Sequence, residues 1–185
     1  MTARVPPATP PYAPEVQAVF DRLPRSWMPP FELFTVMARD PRLLQRFTRG
    51  APIYFPETNL TVRQREVFLD RVTALCRCEY EWSLRIHYFA KEAGLTEEQV
   101  RATVHGSAED ASWSADDRLL IRLADELNTS ADVSDGLWRE LAAALSPEAI
   151  LELLLLAGYY RTIAYVADGL RLPLEPRATP RFPPA

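Results

Sequence analysis

Apolar residues recur at i, i+3, i+4 and i+7 through most of the chain, while β-branched residues rarely alternate, a pattern that predicts helices rather than strands. The predicted helices are 14–24, 31–38, 41–49, 61–75, 79–93, 96–104, 115–129, 134–144 and 147–168. Their starts carry N-terminal signals. Thr61 with Gln64 and Thr96 with Gln99 fit capping boxes, Ser114 with Asp117 is a weaker variant, and Ser146 precedes Pro147 at a first helical position. Gly94 and Gly169 follow periodic runs and suit left-handed C-terminal caps.

The last helix differs from the others. Ile150, Leu151, Leu153, Leu154, Leu155, Leu156 and Ala157 point in nearly every direction, as in a helix surrounded by protein at the centre of a core or of a subunit interface. Between helices, the segment from Gly50 to Leu60, with Pro52 and Pro56, lacks periodicity and reads as the longest internal loop, a candidate cover for a pocket. Prolines crowd both ends. This divides the chain into a Pro-rich N-terminal arm (1–14), one helical domain (15–172) and a Pro-rich C-terminal tail (173–185), with both tails expected to be extended or loose.

Composition narrows the function classes. At 185 residues, 48% apolar and 25% charged, the chain has the makeup of a globular domain. Its net charge of −4 offers no field for phosphate backbones, so nucleic acid is not an expected partner. The longest uncharged apolar run, from Leu153 to Tyr160, is far below the ~20 residues of a membrane span, and the N-terminus lacks a signal-peptide core. A cytoplasmic protein without membrane contact is expected. Two cysteines, Cys76 and Cys78, exclude a disulfide scaffold.

Candidate chemistry gathers around those cysteines. At 100° per residue, Cys78, Arg85, Ile86, Phe89 and Ala93 fall within roughly 60° of Trp82, so Cys78 faces inward at a helix start whose dipole favours thiolate. Glu79 and Glu81 oppose that effect. Tyr80, Ser83, His87 and Lys91 fall on the expected outer face. Cys76 and Cys78 would differ by about 200° on a helix, a poor geometry for a disulfide unless the segment is a turn. On the preceding helix, Glu66 flanks the stripe of Val62, Leu69, Val72 and Cys76, where a buried carboxylate would need a partner. Arg85, Arg161, Tyr159, Tyr160 and Tyr165 are the candidates. Two cysteines one residue apart and two distant histidines do not make a zinc site, so no metal is expected.

Several features together resemble one family. They are Leu60-Thr61 opening a helix, Glu66 twelve positions before Cys78, the run Cys-Glu-Tyr-Glu-Trp at 78–82, Ala93-Gly94-Leu95-Thr96, and Gly158-Tyr159-Tyr160-Arg161. They resemble the carboxymuconolactone decarboxylase and alkylhydroperoxidase D-like family over about residues 30–175. The resemblance implies an all-α fold of eight or nine helices, homo-oligomers (trimers, hexamers or dimers), no cofactor, and a small-molecule substrate, either a hydroperoxide or a lactone acid of aromatic catabolism. By position it implies catalytic roles for Glu66 and Cys78, with Arg85 in the slot of a family histidine and Glu81 in that of the second cysteine. Trp82, Glu81, Tyr159 and Arg161 are then the expected substrate-binding residues. A dithiol cycle through Cys78 and Glu81 is chemically impossible, which leaves a one-cysteine, peroxiredoxin-like cycle through a sulfenic acid, or decarboxylation by Glu66, Arg85 and Arg161. The alternative is a ligand-binding or assembly protein that kept the fold and lost the reaction.

Overall fold

The computed structural model describes residues 3–50 and 57–184. Among them are nine α-helices and no strand: α1 (Pro14–Phe20), α2 (Glu32–Met37), α3 (Pro41–Thr48), α4 (Val62–Leu75), α5 (Glu79–Phe89), α6 (Glu97–His105), α7 (Ala115–Ser130), α8 (Asp135–Ala144) and α9 (Pro147–Leu170), with a 3₁₀ turn at Arg25–Trp27. The signals named above act where expected. Thr61, Thr96 and Ser114 each close a reciprocal capping box, and Ser146 accepts the amide of Ala149.

Three helix ends move by more than one residue. The first helix stops at Phe20, and the expected run to residue 93 ends at Phe89, after which turns lead to Gly94 at φ +66°. Gly169 stays helical. The left-handed cap of α9 is Arg171 instead, and the following amide of Leu172 bonds to Ala167. The helix runs on because the N-terminal arm finishes its carbonyls: the Arg4 amide and guanidinium donate to Leu170 and Gly169.

Helix α4 lies at the centre and packs against α5, α6, α7 and α9; α8 bridges α7 and α9. Phe68, Leu69, Leu123, Leu137 and Leu153 are fully enclosed there. An aromatic cluster of Trp27, Phe31, Phe34 and Tyr88 fastens the short N-terminal helices to α5. Among the described residues only one face of α9 is covered. Ile150, Leu153, Leu156, Tyr160, Ile163 and Ala167 are buried, whereas Leu151, Leu155 and Tyr165 are exposed at 61%, 76% and 68%. By length and composition α9 would suffice for a membrane crossing. Two of its charged groups are engaged with neighbouring segments, Glu152 holding Thr58 and Asn59 and Arg161 holding Asn128.

The tails are extended, as their proline content requires, but they are seated on the helices rather than loose. In the C-terminal tail Glu175 accepts the Tyr80 hydroxyl (2.6 Å) and the Glu32 amide (2.6 Å), and the Ser83 hydroxyl donates to Pro180 (2.7 Å). Phe182 packs on Trp82 and donates its amide to Glu79. Tyr80 and Ser83 are therefore buried, contrary to their expected place on an outer face, while His87 is exposed as expected. A tail without helical periodicity gives no pattern from which such cover can be read. Of the loop expected from Gly50 to Leu60, residues 51–56 lie outside the described residues.

Candidate functional site

Helices α4 and α5 bring a buried charged cluster together. Successive turns of α4 present Glu66 and Asp70, and α5 presents Glu81 and Arg85, also one turn apart. The Arg85 guanidinium donates to Glu66 and, through its other terminal nitrogen, to the Tyr160 hydroxyl at 2.6 Å. Arg65 closes the other Glu66 oxygen at 2.7 Å. Arg85 also stands 3.8 Å from both Glu81 and Asp70, over the rings of Tyr160 and Phe89. Of the partners expected for Glu66, Arg85 is found directly and Tyr160 through it. Arg161, Tyr159 and Tyr165 lie elsewhere.

Three carboxylates therefore share essentially one enclosed cation, with Arg65 at the margin. Burial costs an ionised carboxylate its hydration, and like charges add to that cost. Burial, then the neighbouring Glu66, push Asp70 well above the usual carboxylate range. Among the described residues both of its oxygens lack a hydrogen-bond partner, as does Arg85 Nε. Burial raises Glu81 to about 7; Arg85 opposes the rise and Glu66 adds to it. Burial works against the charged form of Arg85, but Glu66, Tyr160, Asp70 and Glu81 outweigh it and hold the guanidinium ionised. The cluster is least covered at Arg65 and Glu81, whose side chains are 19% and 12% exposed.

Cys78 is the N-cap of α5 and is fully buried. Burial drives its thiol strongly upward; the Glu81 amide opposes this, and the Asp168 charge adds to it. Asp168 of α9 faces Cys78; burial raises that carboxyl and the neighbouring thiol opposes the rise. Cys78 and Glu66 thus stand on consecutive helices but are engaged with different partners. Trp82 donates its indole N–H to Thr103 (3.0 Å) and is closed over by Phe182. Tyr159 donates to the Phe47 carbonyl (3.1 Å), fastening α9 to α3.

Cys76 and Arg161 meet elsewhere, in a cleft of about 220 Å³ between α4, α7 and α9 that Val72, Leu127, Leu154 and Asn128 also line. Sequence reasoning missed Asp70, Asp168 and Arg65. Asp70 was within reach of it, since it follows Glu66 by four positions on the same face; the contact of Asp168 with Cys78 joins helices ninety positions apart and leaves no local signal.

Residues 41–125, from α3 into α7, match the model of the carboxymuconolactone decarboxylase family. That stretch is similar to proteins of the carboxymuconolactone decarboxylase family. It contains Glu66, Asp70, both cysteines, Glu81 and Arg85. The whole chain shares its helical fold with solved structures. One is a peroxidase-related protein from Silicibacter sp. TM1040, with 16% identity, a TM-score of 0.79, and 95% of this chain and 92% of that one covered. Another is the debrominase Bmp8, whose variant with alanine for a cysteine is solved in complex with 2,3,4-tribromopyrrole (16% identity, TM-score 0.78, 96% and 95% covered). A third is an Agrobacterium tumefaciens protein of unknown function, linked by name to the antioxidant defence protein AhpD (19% identity, TM-score 0.65, 74% and 94% covered). No curated protein matches the chain.

Proposed function

We propose that this carboxymuconolactone decarboxylase-like protein is a cofactor-independent enzyme that acts on a small organic acid by proton transfer, with Glu81 as the proton carrier. The observation behind this reading is a carboxyl brought to about 7 inside a cluster that also contains a permanently charged Arg85. A group that titrates at the working pH can both deliver and recover a proton, which is what decarboxylation of an acid through an enol-like intermediate requires. Glu66 holds Arg85 in place, and Arg65 offers a charge at the least covered edge for a substrate carboxylate. A single-cysteine peroxide reaction at Cys78 has less support, because burial keeps that thiol protonated and the thiolate is the nucleophile. The Bmp8 complex with a halogenated pyrrole supports a substrate of one small ring.

The same reading includes self-association through the uncovered face of α9, where Leu151, Leu155 and Tyr165 are exposed.

The test is carbon dioxide release from a panel of carboxylated lactones, 4-carboxymuconolactone among them. Turnover is expected in the wild type, with an apparent pKa near 7 that disappears in Glu81→Gln together with at least about tenfold of the rate. A wild-type rate in Glu81→Gln removes the proton carrier, and a folded protein inert toward the whole panel removes the reaction.

A further inference from the structure

The segment joining α4 to α5 is a tight turn, not a continuing helix. Cys76 caps α4, Arg77 adopts φ +59°, and the amides of Arg77 and Cys78 bond to the carbonyls of Ala74 and Thr73, the paired bonds of a Schellman cap. The condition attached to the cysteine pair is thereby met. A helix-type conformation of either hand sets the Cα atoms on its two sides roughly 5.5 Å apart, inside the range a disulfide spans.

The two thiols differ in access. Cys76 is half-buried and lines the cleft; Cys78, two positions on, is fully enclosed. Both thiols feel the Asp168 charge, and the Cys78 thiol also feels that of Cys76. Above Cys76 stands Arg161, which donates to Asn128 (2.5 Å), has no carboxylate partner among the described residues, and offsets part of the rise that burial gives the Cys76 thiol. The remaining walls include Val72, Leu127 and Leu154. A cation over an apolar hollow is a seat for a small ring or short chain bearing an acid group.

We propose that Cys76 and Cys78 form a dithiol centre that exchanges with small anionic disulfides bound in this cleft, an activity separate from the proton chemistry at Glu81. The Cys76 thiolate attacks one sulfur of the bound disulfide. A mixed disulfide forms, the ligand S–S bond breaks and one ligand thiolate leaves. Cys78 then passes its proton to Asp168 and attacks the Cys76 sulfur. The protein disulfide closes across Arg77 and the second ligand thiolate leaves, taking up that proton when it is basic enough. The ligand is reduced by two electrons and the cysteine pair is oxidised by two.

The probe is 5,5′-dithiobis(2-nitrobenzoate), an aromatic disulfide with two carboxylates, applied to the folded full chain. Two nitrothiobenzoate ions are expected per chain, leaving a protein two hydrogens lighter than the reduced form and free of adduct. Cys78→Ser, and Cys78→Ala should the serine disturb the core, releases one ion and keeps one adduct; Cys76→Ser releases none until denatured. Arg161→Gln slows the first release with this reagent by about tenfold more than it slows attack on neutral 2-hydroxyethyl disulfide, whose rate falls only as far as the thiolate loses the guanidinium. A persistent adduct on the wild type, a disulfide-linked dimer, or release from folded Cys76→Ser overturns the centre. Equal slowing of both reagents in Arg161→Gln overturns the anion seat.

Discussion

Glu81 titrates far from where an exposed glutamate does, and the shift has a thermodynamic sign. Its pKa rises from 4.5 to about 7 on folding, so between those values the native state binds more protons than the unfolded one and stability falls as pH increases. Across pH 5 to 8 this group alone removes on the order of 3 kcal/mol. Denaturant titrations should show that fall in the wild type and a much flatter profile in Glu81→Gln. Glu66 acts through its ion pair. Glu66→Ala strips Arg85 of its closest partner in an enclosed site and is expected to cost about 3–5 kcal/mol, measurable by urea unfolding. Glu66 and Arg85 were legible in the sequence because the helical stripe points both inward from neighbouring helices. The shared charge was not, because it depends on Asp70 and Glu81 meeting Arg85 at distances that a helical wheel does not supply.

The helix starts were the most legible elements, since a Ser or Thr followed three positions later by an acid or amide is a local device that works before any tertiary contact forms. The stops were less so. At residues 77, 131 and 171 the chain turns left-handed on Arg, Ala and Arg instead of glycine, so the composition cue is missing. Arg77 is exposed, and among the described residues its side chain makes no hydrogen bond or ion pair that would offset the strain. Arg77→Gly should therefore stabilise the reduced protein by about 1 kcal/mol, a rise of roughly 2–4 °C in Tm by calorimetry. Thr61→Ala, which opens a capping box, should lower stability by a similar amount.

At the scale of the molecule, the helical bundle followed from periodicity, whereas the path of the tails did not, because their hydrogen bonds run from irregular backbone to residues about a hundred positions away. Phe182→Ala uncovers Trp82 and should change its fluorescence while far-ultraviolet dichroism is preserved. On the opposite account, that the tail merely rests on the surface, the emission would not change. The unpartnered face of α9 makes its own prediction. Leu151→Glu with Leu155→Glu should lower the molar mass measured by light scattering without loss of helicity.

The cover that Glu175, Ala178 and Phe182 place over α5 also has a temporal meaning. On the ribosome, α4 and α5 are synthesised long before the tail segment that shields Tyr80, Ser83 and Trp82. The nascent bundle must keep that flank open until residue 182 clears the exit tunnel, so closure of the flank follows the folding of α4 and α5 instead of accompanying it.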